Sequence, residues 1–150
     1  MASEGLEIRA FAAADQAAAV ALWRACGLLR PWNDPHKDIA RKRLVQPELF
    51  LVACLPGLGD APPRLVGTAM AGYDGHRGSV YYLAVAPELK GRGIGRALMA
   101  AVEERLLGLG CPKLNVLVRT SNLQVVDFYG RLGYAQDEAL SLGKRLIPDQ

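Results

Sequence analysis

Apolar and polar residues alternate from Leu6 to Phe11, with Leu6, Ile8 and Ala10 on one side and Glu7 and Arg9 on the other, the period of a half-buried strand. From Asp15 to Cys26 the chain is rich in alanine, carries Val20, Leu22 and Trp23, and stops at Gly27, a residue suited to a left-handed helix cap. That run reads as a helix. Asp34 followed by Pro35 marks a second helix start, since an aspartate caps free amides and proline fits the first helical position; this helix is expected to reach about Gln46. Glu48 to Leu55 is rich in strand formers, and Pro56 to Pro63 is a loop of Gly, Pro and Asp. Arg64 to Tyr73 and Ser79 to Ala86 read as two strands joined antiparallel through the turn Asp74-Gly75-His76-Arg77-Gly78. After glycines 91, 93 and 95 a helix opens with an inward stripe of Ile94, Ala97, Leu98, Ala101, Val102, Leu106 and Leu109, and Gly108 and Gly110 close it. Lys113 to Arg119 predicts a strand with Leu114, Val116 and Val118 on one face, Asn122 to about Leu132 a short helix ending at Gly133, and Tyr134 to Gln136 and Glu138 to Arg145 two final strands. The order β-α-α-β-β-β-α-β-α-β-β defines an α/β fold with a mixed sheet, an antiparallel front half joined to a β-α-β crossover, and excludes a purely alternating doubly wound sheet.

Composition narrows the class. A chain of 150 residues, 51% apolar and 22% charged, is expected to form one domain over residues 1–150 with a core of its own. The net charge of +3 is too slight to imply a nucleic-acid partner, although clustered cations could serve an anionic ligand. No apolar run approaches the ~20 residues that span a bilayer, so no membrane insertion is expected. Glu4 and Glu7 stand where a secretory signal would carry basic residues, which makes the cytosol the expected compartment. Cys26, Cys54 and Cys111 are odd in number and widely spaced among apolar neighbours, so they read as small buried hydrophobes, with neither a disulfide framework nor a metal site.

The chemistry concentrates at Lys90-Gly91-Arg92-Gly93-Ile94-Gly95-Arg96, at a strand-to-helix junction. Such a turn offers consecutive free amides at the positive end of a helix dipole, and Lys90, Arg92 and Arg96 add cations where a phosphate would lie. The Gly-Lys-Ser/Thr ending of a Walker loop is missing, and Leu98 stands where a dinucleotide fingerprint would put its third glycine. The run Lys90-x-x-Gly93-x-Gly95 resembles the acyl-CoA loop of the GCN5-related N-acetyltransferase (GNAT) superfamily, Gln/Arg-x-x-Gly-x-Gly/Ala, with lysine in the first position. Downstream, Asn122, Phe128-Tyr129 and Gly133-Tyr134 are similar to that family's second motif, with Val125 in place of its usual alanine. Arg30 to Pro35, Gly72 to Gly78 and Leu140 to Leu146 look like segments of the bacterial YpeA-type acetyltransferases, and the resemblance covers almost the whole chain.

That resemblance implies a bulged fourth strand that splays from the fifth in a V, with the amide-rich arm of acetyl-CoA completing the open edge through the backbone of Leu83, Ala84 and Val85. It implies diphosphate contacts from Lys90, Gly91, Arg92, Gly93, Ile94, Gly95 and Arg96, and a further contact or helix cap from Asn122. Tyr129 matches the family's general acid, because a phenol protonated at neutral pH can protonate a departing thiolate. The activity implied is direct acetyl transfer in a ternary complex to a primary amine of a small molecule, peptide or protein N-terminus. A non-catalytic acyl-CoA-binding or regulatory module is the alternative, and a dinucleotide-binding domain a third. No general base stands out among Tyr81, Tyr82, Asp74, His76, Glu88, Asp34 and His36. Trp32, Asn33 and Asp34, between the first two helices, are candidate acceptor contacts together with His76 and Tyr81, although Trp32 reads equally as core and His76 as a solvated turn residue. Arg41-Lys42-Arg43 and Lys144-Arg145 read as solvated faces. An exposed strand near the C-terminus leaves a homodimer possible.

Overall fold

The computed structural model describes residues 4–149. Five strands, β1 (Glu7–Ala10), β2 (Phe50–Leu55), β3 (Arg64–Tyr73), β4 (Gly78–Val85) and β5 (Leu114–Val116), form one sheet in chain order. The first four run antiparallel to their neighbours and β5 joins β4 in parallel. Helices α1 (Gln16–Ala25), α2 (Pro35–Lys42), α3 (Ile94–Gly108) and α4 (Leu123–Arg131) complete it. The β3–β4 hairpin follows from its turn: the Asp74 carboxylate accepts the amides of His76 and Arg77, both at 2.8 Å.

Side-chain parity along β3 separates two faces. A Cβ on Gly67 would meet Leu98 and Ile94 of α3, whereas Thr68 touches Trp23 of α1 and a Cβ on Gly72 would approach Lys42 at the end of α2. α3 therefore covers one face, α1 and α2 the other. Trp23, Ile39, Phe50, Leu51, Ile94, Leu98 and Val102 are fully buried between these layers, each adding roughly 1.5–3 kcal/mol of apolar burial.

Several sequence expectations need correction. α2 stops at Lys42 instead of Gln46, because Gln46 adopts a left-handed φ of 51° and turns its side-chain amide onto the backbone of Tyr73. β5 is confined to Leu114–Val116 rather than Lys113 to Arg119, since β4 accompanies it for only three residues. Leu109 lies past the end of α3 and is half exposed; Met99 takes a buried place in its stripe. Cys26 is only partly buried. Residues 134–136 and 138–145 form no strands, and Leu140, Leu142 and Leu146 are exposed. The tail is held instead at its end, where the Asp149 carboxylate accepts the Asp34 amide at 2.7 Å and pairs with Arg41 at 2.6 Å. Arg41 is thus an anchor for the tail, not a merely solvated residue, and so is Arg145, whose guanidinium bonds Asn33 and the Ile147 carbonyl.

Candidate active site

The site begins with a missing neighbour. β4 and β5 pair at Gly78↔Leu114, Ser79↔Asn115 and Val80↔Val116, and from Tyr81 to Val85 the edge of β4 away from β3 has no strand beside it among the described residues. The cause is a bulge. Thr68 pairs with Ala84 and Met70 with Tyr81, so two steps along β3 face three along β4. The extra residue bends the strand and interrupts its alternation, which turns Tyr81 and Tyr82 toward the same α1–α2 face. Tyr82 sits there with φ of 51° and stacks on Trp23 at 3.9 Å between ring centroids.

At the end of β4 the chain passes through a turn of 3-10 helix, Pro87–Leu89, into the glycine loop. Gly91 and Gly93 have φ of 84° and 81°, conformations that a side chain would strain. None of the amides from Gly91 to Arg96 finds an acceptor among the described residues, and no side chain caps α3. The side chains of Lys90, Arg92 and Arg96 are exposed or partly exposed and form no ion pair among the described residues. The loop therefore leaves donors free at the positive end of a helix dipole, with three cationic side chains alongside, which suits an anion. Gly95 serves packing as well: a Cβ there would come within 3.2 Å of the Phe128 ring and 3.6 Å of Val85. That contact seats α4 beside the open end of β4.

α4 brings Tyr129. Asn122 caps this helix, its side-chain oxygen accepting the Val125 amide at 3.3 Å. Tyr129 is 7% exposed, edge-on to Phe128 and Tyr134, and its hydroxyl has no hydrogen-bond partner among the described residues. Burial alone pushes its pKa up to about 12, so the phenol keeps its proton through the neutral range. Tyr134, its neighbour, is engaged differently, with its hydroxyl donating to Glu103. One phenol is tied and the other is left over.

The acceptor-side candidates separate. Trp32 is half exposed and lies against the Arg119 guanidinium, 5.9 Å from ring centroid to carbon, so the α1–α2 loop reaches across to the segment beyond β5. It shares a cleft with Arg41, Lys144 and Leu146. Tyr81 is exposed on the same face of the sheet. Asn33 and Asp34 are occupied: Asn33 accepts from Arg145, and Asp34 caps α2 by accepting the amides of His36 at 2.9 Å and Lys37 at 3.4 Å. His76 sits in the hairpin turn, at the end of β4 remote from the glycine loop. Of the other possible bases, His36 bonds Gln16, Glu88 pairs with Arg64, and the Tyr82 hydroxyl donates to Asp38 at 2.6 Å. The sequence reading missed Asp38 and Thr68. A threonine among Val66, Gly67, Ala69 and Met70 was the available signal, because a polar residue in a buried run needs a partner.

A sheet forked behind a bulge, an uncapped helix at its mouth and a buried tyrosine with no hydrogen-bond partner among the described residues are the features that the resemblance to the GNAT superfamily implies. Residues 21–134 match the family described as Acetyltransferase (GNAT) family. The chain is 50% identical over 145 residues to acetyltransferase YE1169 of Yersinia enterocolitica, a match spanning 97% of this chain and 99% of that one. It belongs to the GNAT family of N-acetyltransferases. Among solved structures it resembles an aminoglycoside acetyltransferase from an uncultured soil metagenomic sample (TM-score 0.73, 21% identity, 97% and 99% of the two chains). It also resembles Ard1 from Thermoplasma volcanium (TM-score 0.71, 22% identity, 87% and 83%). Both likenesses concern the fold. Among the described residues no three His, Cys, Asp or Glu side chains are placed to hold a metal, and no helix is long and apolar enough to cross a membrane.

Proposed function

We propose that the fork binds acetyl-CoA and that the chain transfers its acetyl group directly to a primary amine. The observation that carries this reading is the run of amides from Gly91 to Arg96 without acceptors among the described residues, following an edge of β4, Tyr81 to Val85, that β5 leaves open and where the Val85 carbonyl accepts the Cys26 thiol at 3.3 Å. The orphaned hydroxyl of Tyr129 supports it independently, since a buried phenol without a partner is costly unless a ligand supplies one. The residues present fit the cofactor. The glycine-loop amides with Lys90, Arg92 and Arg96 would hold its diphosphate, and the Leu83–Val85 backbone its amide-rich arm.

When bound, acetyl-CoA supplies an acetyl group activated as a thioester. The protein's own work is then threefold. The free edge of β4 orients the arm by backbone hydrogen bonds and presents an amide to the polarised carbonyl oxygen. Tyr129 holds a proton at its Oη for the departing sulfur. Trp32 and Tyr81, on the α1–α2 face, receive the amine, which must reach the carbonyl uncharged.

Calorimetry with acetyl-CoA, followed by thiol release in the presence of small amines, peptides and aminoglycosides, tests the reading. Saturable binding with amine-stimulated thiol release is expected; no binding overturns it. Tyr129→Phe is expected to lower kcat by about 100-fold or more, in the range of a lost general acid, with acetyl-CoA affinity retained. Equal turnover with saturating acceptor would remove Tyr129 from the mechanism.

A further inference from the structure

Thr68 and Trp23 are both fully buried. The threonine hydroxyl accepts the indole N–H of Trp23 at 2.9 Å and donates to the carbonyl oxygen of Tyr82 at 2.7 Å. Tyr82 is the bulge residue, held in a left-handed conformation that a large aromatic side chain disfavours. Three contacts hold it there: Thr68 on its carbonyl, Trp23 stacked on its ring, and Asp38 of α2 accepting its hydroxyl.

The carbonyl of Tyr82 and the N–H of Leu83 belong to one planar trans peptide, so they point in opposite directions. Fixing the first aims the second. Thr68 grips the oxygen from the α1 side of β3, which leaves the Leu83 amide directed away from β3, toward the side where β5 has departed.

We propose that Thr68, assisted by Asp38, is the positioning residue of the cofactor cleft: by clamping the Tyr82–Leu83 peptide in the bulge it aims the Leu83 N–H at the acyl arm of acetyl-CoA. The proposal rests on the acetyl-CoA reading above. It explains why a hydroxyl is buried in an otherwise apolar stretch, and why a tyrosine occupies a conformation that glycine would adopt freely.

The test compares two probes. Acetyl-CoA uses both the glycine loop and the fork, whereas adenosine 5′-diphosphate carries the diphosphate without the arm. Thr68→Val is expected to raise the acetyl-CoA Kd about ten-fold, the equivalent of one hydrogen bond, and to leave the affinity for adenosine 5′-diphosphate unmoved. Thr68→Ser, which keeps the hydroxyl, should restore most of the acetyl-CoA affinity. A folded Thr68→Val protein that binds acetyl-CoA as the parent does overturns the proposal, and so does an equal loss for both probes, which marks a structural role. Should circular dichroism show Thr68→Val unfolded, Tyr82→Phe decides, because it releases only the Asp38 contact: a loosening of about three-fold for acetyl-CoA alone supports the clamp and no change refutes it. A parent protein that binds no acetyl-CoA defeats the functional reading first and the clamp with it; a parent that binds normally isolates the clamp.

Discussion

α2 and α3 begin on opposite faces of the sheet and treat their first turns in opposite ways. The eight-residue α2 is closed at its start, with Asp34 accepting two amides, Pro35 lacking the third donor, and the Asp149 carboxylate taking the Asp34 amide itself. The fifteen-residue α3 is left open, and the cations of Arg92 and Arg96 stand at the positive end of its dipole, where they are unfavourable without an anion. Its N-cap is Gly93, which offers no side-chain acceptor, and an Asp, Asn, Ser or Thr there is worth only roughly a few tenths of a kcal/mol over glycine, before the cost of its left-handed φ. α3 keeps its donors for a site, whereas α2 spends its donors on structure.

Exchanging the two arrangements gives the largest expected effect. Gly93→Asp places a carboxylate where α3 now offers donors, in a left-handed position that strains a side chain but that Asp and Asn enter more readily than other residues. A like charge a few ångströms from the diphosphate is expected to weaken acetyl-CoA binding by about 100-fold, with the uncharged Gly93→Asn losing far less. Equal losses in calorimetry would mean that the loop acts by shape and not by charge. A smaller effect belongs to α2: Asp34→Ala should cost about 1 kcal/mol in urea unfolding, with acetyl-CoA affinity unmoved. The smallest is a pH effect at the same end. The hydrogen bond from Arg41, then that from the Asp34 amide, holds the Asp149 carboxyl below its ordinary value. Its folded pKa is depressed, so its contribution is complete above the ordinary carboxylate pKa of about 4 and fades as pH falls through the lower folded value. The difference in Tm between the parent and Asp149→Asn should accordingly shrink between neutral pH and pH values of about 3.

Much of this was legible in the sequence because it is local. The Asp74–Gly78 turn specified the hairpin, Asp34-Pro35 the start of α2, and the glycine spacing the open terminus of α3. What escaped prediction depends on contacts distant along the chain. Residues 138–145 carry a strand-like pattern, but pairing needs a partner brought from elsewhere in the chain, and among the described residues no strand takes this segment up. Arg41-Lys42-Arg43 gave no hint that Arg41 would meet Asp149, 108 residues away. A bulge in the fourth strand was implied by the family resemblance, but nothing in the alternating pattern placed it at Tyr82 or joined it to Thr68. The catalytic candidate Tyr129 was found by motif, yet its distinction from Tyr134 required seeing which hydroxyl was already bonded.

The miscount between β3 and β4 has a consequence for how such a cleft can arise or vanish. With one residue fewer between Val80 and Ala84, the two strands would match step for step and β4 would lose the left-handed kink at Tyr82. A single codon thus separates a regular β3–β4 ladder from one that bends at the mouth of the cleft.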